Sequence, residues 1–413
     1  MREQIKRLNF RNILILILVF LLGWQLGHRE VKLKWERPSF NLKIENQEPP
    51  KNINVNFKLF WDTWDLVSRL YLDKSAIDPN KLFYGAISGM VAAIGDPYTV
   101  FLPPEQQKSS KEELNGSFDG VGIQLGFNKE KKLVVVAPLS KTPAAEAGIK
   151  PQDLIIKIDD KDTTGMSLPE AVKLIRGPRG SNVSLEIFRE GEEETRIITL
   201  TRDTIIVKSV ELTFKDSESG KKVAIIKLSR FGERTKEEWE KVVSEVLSSN
   251  AKSIVLDVRN NPGGFLEGAV FIASEFLESG DVVLQENAKK ERLAFKVNRK
   301  GRLLDGPVVV IINKGSASAS EIVAGALQDR KRAQLVGEKS FGKGTIQEAQ
   351  ELEGGSGIHI TVAKWLTPNG RWVNETEGLE PDVKIEMDKE DSTPIESGST
   401  KDPQLEKALE LLE

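Results

Sequence analysis

Two glycine-rich turns and one alternating serine run hold the residues of this chain that could do chemistry. In NKGSASASEIVAGAL, residues 313–327, Ser316, Ser318 and Ser320 alternate with alanines directly behind the apolar run VVVIIN. A serine attacks a carbonyl only when a neighbouring base takes its proton, so the run poses the question of the base. The chain has two histidines, His28 and His359, and no cysteine. This excludes a thiol nucleophile, a thiolate metal site, a HExxH metal helix and disulfides. A Ser-His-Asp triad would have to use His359, which sits in the alternating stretch GIHITVAKW and reads as decoration on the polar side of a strand. Lys343 in GEKSFGKGTIQ is the other candidate, flanked by Gly342 and Gly344, which permit close backbone approach. To act as a base it must be neutral, so its pKa must fall by roughly three units from about 10.4, a shift that desolvation can supply. The third element is RNNPGG, residues 259–264, whose glycine pair can turn N–H groups toward a developing oxyanion.

Each element also has a plainer reading. Ser318 with Glu321 fits the S-x-x-E capping box of a helix start, RNNPGG fits an ordinary turn, and Lys343 fits a solvated turn lysine. On the residues alone the three serines compete equally. Residues 337–344 read G-x-x-x-x-G-K-G, one position short of a phosphate-binding loop. The magnesium-binding hydroxyl is missing after the lysine, and the next stretch, TIQEAQELEGGSG, patterns as a strand rather than as the helix that would hold phosphates.

The elements around these turns have the rhythm of an α/β core over residues 206–386. KKVAIIKLS, SIVLDVR and GPVVVIIN are short apolar runs suited to strands buried on both faces. TKEEWEKVVSEVLSS lies between the first two, with a Thr235 to Glu238 capping box and Trp239, Val242, Val243, Val246 and Leu247 on one face. The alternation predicts a crossover sheet, with RNNPGG and the serine run beyond the carboxyl ends of its strands, where sites of such sheets gather.

Upstream, residues 107–205 run DGVGIQLGF, an apolar strand at 133–136, KTPAAEAGIKPQDLIIKIDDKD, the helix SLPEAVKLIRG opened by Ser167 and Glu170, and the strand NVSLEIFRE. This order resembles a PDZ domain. The resemblance implies that the turn of Gly120, Val121, Gly122 and Ile123 offers N–H groups to a peptide's terminal carboxylate. The peptide would add as a strand, its last side chain in a pocket of Val121, Ile123, Leu168 and Val172. Residues 54–106 read as a small helical packing layer, with Phe57, Phe60, Trp61, Trp64, Val67 and Leu70 on one helix and Leu82, Phe83, Ile87, Met90 and Ile94 on a second.

Residues 1–12 carry Arg2, Lys6, Arg7 and Arg11 ahead of an apolar run at 13–27. That layout predicts a signal anchor, without a small-x-small cleavage site, leading into a polar linker over 28–53. The expectation is a cytoplasmic N-terminus, a single-pass anchor and a body outside the cytoplasm in a bacterial cell envelope. The tail, 387–413, has helical spacing at Leu405, Leu409 and Leu412, able to cover the core or an oligomer contact. With 59 basic against 62 acidic residues, nothing points to nucleic acid.

In chain order, YGAISGMVAAIGDPYTVFL, the PDZ-like segment, LDVRNNPGG, NKGSASASEIVAGALQDRKRA, GEKSFGKGTIQ, WLTPNG and GLEPDV match the motifs of one family, and the chain from about 55 to 410 resembles the carboxyl-terminal processing proteases. These are tail-specific Ser/Lys peptidases with an embedded PDZ domain and a core of the ClpP/crotonase-like type. The resemblance implies Ser318 as nucleophile, Lys343 as base and Gln347 as the residue orienting the lysine. It places the oxyanion between the N–H groups of Gly264 and Ala319, and gives Arg176 a part in coupling the PDZ domain to the protease. It implies an acyl-enzyme route, no metal or other cofactor, and protein or peptide substrates with free apolar C-termini. An adaptor protein and a homo-oligomer are compatible partners. Asp329 reads as structural, ion-paired on its own helix. The reading from another class is a PDZ scaffold whose protease core is inactive.

Overall fold

The computed structural model describes residues 55–128, 130–387 and 402–413. The apolar segment 13–27, His28 and the linker 28–53 lie outside the described residues. Among the described residues no helix is long and apolar enough to cross a membrane.

Helix α1, Lys58–Leu70, forms where the apolar spacing predicts it, yet none of its residues is buried. Helix α2, Pro79–Ala92, opens on a proline, whose missing N–H costs nothing in a first turn. The purely helical reading of 54–106 fails beyond Gly95. There β1, Val100–Leu102, pairs antiparallel with a strand some 260 residues downstream, Val100 lying opposite His359. Helix α3, Pro104–Asn115, then ends on Gly116 at φ +65°, the left-handed conformation that glycine adopts without a Cβ penalty.

The PDZ-like segment contains β2 (Ser117–Gly120), β3 (Ile123–Phe127), β4 (Leu133–Pro138), α4 (Pro143–Glu146), β5 (Leu154–Ile158), β6 (Lys161–Asp162), α5 (Leu168–Ile175), β7 (Asn182–Phe188), β8 (Arg196–Thr201) and β9 (Asp203–Ile206). Strands β3-β4-β5-β7-β8 form an antiparallel sheet in that order, with β6 on β5. Strand β7 turns Val183, Leu185 and Ile187 inward at period two, onto Leu133, Val135, Ile155, Ala171 and Ile175. Strands β2 and β9 pair as a ribbon, so the segment leaves the core and returns to it at one place.

The core continues as β10 (Val210–Asp216), β11 (Lys222–Leu228), α6 (Thr235–Ser248), β12 (Ser253–Asp257), α7 (Leu266–Ala273), β13 (Asp281–Asn287), β14 (Arg292–Lys296), β15 (Val308–Ile312), α8 (Ala319–Asp329), β16 (Gln334–Gly337), β17 (Thr345–Glu351), β18 (Gly357–Leu366), β19 (Val383–Lys384) and α9 (Pro403–Glu410). The expected crossover sheet is present with strand order β10-β11-β12-β15-β16-β19, parallel from β11 onward. Its strands are buried on both faces. Ala224, Ile226, Leu256 and Val310 meet α6, α7 and α8, while Val223, Ile225, Val255 and Val309 meet Ala408 and Leu412 of the C-terminal segment. A second, antiparallel sheet, β1-β18-β13-β14 with β17 on β18, stands beside the first.

Two local expectations change. Helix α6 begins at Thr235 itself, and Glu238 turns its carboxylate to the Ser209 N–H and hydroxyl, both at 2.7 Å, rather than closing a box with Thr235. Asp329 pairs with Arg371 and accepts the Asn369 N–H at 2.8 Å, so its partners come from the turn after β18 and not from its own helix. As expected, the near phosphate-binding motif, 337–344, leads from the end of β16 to a strand, β17, so no helix N-terminus stands behind the lysine.

The C-terminal segment is tied to the loop after β12 by charge as well as by apolar burial. Arg259 donates to Asp257 at 2.7 Å, to Asp402 at 2.8 Å and to Gln404 at 3.1 Å, and Asp402 also caps α9 by accepting the Leu405 N–H. Removing one partner of a largely buried pair strands the other charge. Arg259→Ala is therefore expected to cost about 3 kcal/mol in urea unfolding, with Asp402→Ala costing less because Asp257 still holds the guanidinium.

Candidate active site

The three serines are separated by what their hydroxyls do. Ser316 Oγ donates to the Val258 carbonyl at 2.8 Å and Ser320 Oγ to the Asn261 carbonyl at 2.9 Å, and both residues are fully buried. They stitch the start of α8 to the RNNPGG turn. Ser318 is half-buried; it forms the expected capping box with Glu321, but its hydroxyl donates to no group among the described residues. It lines a cavity of about 750 Å³ together with Gly263, Gly264, Lys343, Gln347 and His359. Its backbone is held at φ +54° and ψ −114°, a strained position for a residue with a Cβ, immediately before the first turn of α8.

The strain is held by one carboxylate. Glu321, fully buried, accepts the Ser318 N–H at 2.8 Å and the Lys343 N–H at 2.9 Å, and also the Ser340 hydroxyl at 2.6 Å and the Gly342 N–H at 2.7 Å. The turn carrying the serine and the turn carrying the lysine thus share a single anchor. Burial pushes the Glu321 carboxyl above its ordinary range, and these four donors offset that only in part. A raised folded pKa means that the fold binds this proton more readily than the unfolded chain. The group's contribution to stability is therefore greatest below the unfolded pKa and is lost as pH rises through the folded value.

Lys343 reaches the cavity because Gly342, at φ +92°, and Gly344 let its turn press against Gly378 and the Trp372 ring. Burial pushes its amine below the ordinary lysine value, opposed by the charges of Asp96 and Glu321. The amine lies 4.9 Å from the centre of the Tyr98 ring. No local pattern marks Asp96 or Tyr98 as site residues; their one trace in the sequence is the motif GDPYT. His359 is not surface decoration. It is half-buried on the cavity wall, and burial and the nearby Lys343 charge both push its imidazole down. Gln347 also lines the cavity, but its amide donates to the Thr345 hydroxyl at 2.9 Å and the Thr361 hydroxyl at 3.2 Å. Ser318 Oγ and Lys343 Nζ share the cavity without a hydrogen bond between them; such contacts often tighten only when substrate is bound.

Beside the serine, the RNNPGG turn sorts its two glycines. The Gly263 N–H is taken by Asn261 Oδ1 at 2.9 Å, whereas the N–H groups of Gly264 and Ala319 have no acceptor among the described residues. Gly264 sits at φ +137°, and a Cβ there would stand 2.1 Å from the Phe231 carbonyl oxygen. A hydroxyl with its proton uncommitted, a half-buried amine and two N–H groups unclaimed among the described residues form the set that acyl transfer through a tetrahedral intermediate requires.

The PDZ residues lie apart from this cavity. Strand β3 is an edge of its sheet, and the Val121 and Gly122 N–H groups ahead of it have no acceptor among the described residues. Ile123, Leu168 and Val172 are half-buried along the groove between β3 and α5. Val121 is 1% exposed and packs into the domain's core, so it brings its backbone rather than its side chain to the groove. Gly120 is engaged in the ribbon opposite Asp203. Arg176 is half-buried beside α3. It pairs with Glu112 of α3 at 3.0 Å and lies over the Phe118 ring at 4.3 Å.

A model of peptidase family S41 matches residues 222–385, a PDZ-domain model residues 134–189, and a model of the activating protease CtpB N-terminal domain residues 27–106. The carboxy-terminal processing protease CtpA of Bacillus subtilis is 37% identical over 84% of this chain and 72% of that protein. The carboxyl-terminal-processing protease of Synechocystis is 38% identical over 86% of each. The chain belongs to peptidase family S41. A solved structure described as a candidate S41 protease from Bacteroides fragilis superposes with a TM-score of 0.55, covering 88% of this chain and 98% of that one. At 15% identity that likeness concerns the fold alone. S41 membership and the processing-protease relatives make the chain a serine-type peptidase.

Two substitutions probe this arrangement. Gly264→Ala should lower kcat by at least about a hundredfold in a steady-state peptidase assay, because the displaced turn carries its N–H away from the cavity. Glu321→Gln keeps the shape but turns an amide donor toward N–H donors, and should lower both kcat and the melting temperature. It should also flatten the decline in stability between the ordinary glutamate pKa and the raised one, as followed by melting at stepped pH.

Proposed function

We propose that the chain is an envelope-anchored endopeptidase that takes proteins by their free apolar C-terminal tails and cleaves them with Ser318 as nucleophile and Lys343 as general base. The observation that carries the reading is the singular state of Ser318. Of the three alternating serines, it alone has a hydroxyl that donates to no carbonyl, and that hydroxyl opens on the cavity that holds the desolvated lysine. Neutral Lys343 takes the Ser318 proton as Oγ bonds to the scissile carbonyl carbon. The oxyanion gathers the Gly264 and Ala319 N–H groups, and the lysine passes its proton to the leaving amine. Water then hydrolyses the acyl-enzyme with the same amine as base. Gln347, held by two threonine hydroxyls on β17 and β18, fixes the wall beside the lysine.

Tail capture is assigned to the β3 edge and the Val121–Gly122 turn, with Ile123, Leu168 and Val172 receiving the last apolar side chain. Arg176 is the proposed link between that groove and the protease, since its partner Glu112 lies on α3, whose Ser110, Glu113 and Leu114 line the catalytic cavity. Anchoring through residues 13–27 would place this body outside the cytoplasm.

The unmade hydrogen bond between Ser318 and Lys343 is also what a non-hydrolysing PDZ scaffold would show, so the deciding assay must separate binding from cleavage. Peptides differing only in a free or amidated apolar C-terminus are offered to the full chain in detergent. Cleavage favouring the free terminus, abolished in Ser318→Ala and Lys343→Ala, is the expected result. Binding without cleavage by the unmodified chain would favour the scaffold, and cleavage surviving both substitutions would overturn the dyad. Because the base acts when neutral and burial lowers its pKa, kcat/KM should rise with pH through a value below that of an ordinary lysine.

A further inference from the structure

The motif GDPYT, residues 95–99, has the sequence of a connector in a packing layer, yet it stands against the base. Because β1 pairs with β18, the residues just ahead of β1 are carried to the sheet that holds Gln347 and His359. Tyr98 presents its ring to the Lys343 amine at 4.9 Å from the ring centre. Asp96 is fixed behind it, accepting the Thr99 hydroxyl at 2.7 Å and the Tyr98 N–H at 3.1 Å. Thr99 Oγ1 in turn accepts the Thr361 N–H at 3.0 Å, and the Thr361 hydroxyl accepts from Gln347 at 3.2 Å. Hydrogen bonds through Thr99 and through the backbone and hydroxyl of Thr361 therefore link Asp96 to Gln347. Neither Asp96 nor Tyr98 lines the substrate cavity.

We propose that Asp96 and Tyr98 are positioning residues for Lys343, holding its amine at the cavity and stabilising the ammonium that it becomes when it takes the Ser318 proton.

A desolvated amine is a ready base but a poorly supported acid, because burial penalises the charged form created in the first step. A carboxylate and an aromatic face that are already in place supply that support without reorganisation when the proton moves. The proton travels from Ser318 Oγ to Lys343 Nζ and on to the leaving amine, and neither Asp96 nor Tyr98 exchanges one. Four titratable groups face the amine. Glu321 spreads its charge over four donors of its own, and His359 is pushed toward its neutral form. Burial pushes the Tyr98 phenol up, with the Glu321 and Asp96 charges adding to it. Asp96 differs from these. Burial pushes it up, but hydrogen bonding from Thr361, Thr99 and the Tyr98 backbone outweighs that and keeps it ionised.

The inference rests on Lys343 being the base, and the test separates the two claims. In the full chain, with the free-C-terminus apolar peptide as probe, Asp96→Asn should lower kcat about tenfold with KM little changed. It should also move the acid limb of the kcat/KM profile to lower pH by about 0.5–1 unit, because a charge favouring the ammonium is gone. Tyr98→Leu should lose about tenfold in kcat, and the conservative Tyr98→Phe, which keeps the ring face, should recover most of that loss. An acid limb unmoved or displaced upward in Asp96→Asn, or equal activity in Tyr98→Leu and Tyr98→Phe, overturns the proposal. If Asp96→Asn does not fold, the Tyr98 pair decides it. Activity persisting in Lys343→Ala would overturn the base itself, whereas an inactive Lys343→Ala beside an unmoved Asp96→Asn limb would overturn only the role given to Asp96.

Discussion

The buried Glu321 carboxylate is the contact on which the site depends. One side chain accepts the N–H of Ser318 and the N–H of Lys343, with Ser340 and Gly342 filling its remaining lone pairs. The Phe341 N–H, donating to the Ser316 carbonyl at 3.0 Å, ties the same two turns. A carboxylate taken out of water costs several kcal/mol, and the four short donors offset that cost in part. The arrangement converts that cost into geometry. Ser318 keeps a positive φ that its Cβ disfavours, because relaxing it would strip an acceptor from two turns at once.

The carboxylate bridges turns that belong to different sheets. Ser318 and the RNNPGG turn belong to the parallel sheet, at the carboxyl ends of β15 and β12, where successive crossovers leave room for a site. Lys343 belongs to the antiparallel sheet, two residues ahead of Thr345, where β17 begins. No backbone ladder joins the two sheets, so their relative placement at the site rests on side chains and on the single main-chain bond from Phe341 to Ser316. Ser316 and Ser320, spent on carbonyl groups of the RNNPGG turn and its approach, fix the serine side. The Trp365 indole, donating to the Lys343 carbonyl at 2.8 Å, fixes the lysine side. Glu321 then joins them.

Much of this is legible in the sequence, and the remainder is hidden for a common reason. The crossover sheet, the helix opened by the serine run and the glycine-flanked lysine are local signals of periodicity and composition, and they survive folding. Glu321 is visible too, but only as the partner of a capping box. The same S-x-x-E spacing serves a helix start and a cross-sheet clamp, and nothing local tells these uses apart. Asp96, Tyr98 and His359 escape local reading because their role is set by pairing across some 260 residues, Val100 with His359. A β ladder of that span leaves no trace in local pattern, and a short strand between two helical stretches is taken for a connector. The Arg371 partner of Asp329 and the Ser209 partner of Glu238 are hidden in the same way: charged side chains choose partners in space, while spacing rules see only their own helix.

With Lys343 as the proposed base, the electrostatics around it set two demands against each other. A general base must be neutral at rest and cationic in the transition state, and each environment that favours one form penalises the other. Burial alone would deliver the neutral amine and then oppose its protonation by the serine. Exposure alone would leave the amine protonated and inert near neutral pH. In this chain burial is the larger influence and lowers the lysine pKa, while the charges of Asp96 and Glu321 pull the other way and the Tyr98 face lies beneath the amine. A histidine triad meets the same pair of demands with a base whose pKa is already near neutrality, so its carboxylate can sit in direct contact. A lysine base starts several units higher. A carboxylate in direct contact with it would raise its pKa further and oppose the effect of burial. In the proposed dyad, a lysine in place of histidine goes with a longer supporting network, reaching from the turn ahead of β1 to the strand that carries Gln347.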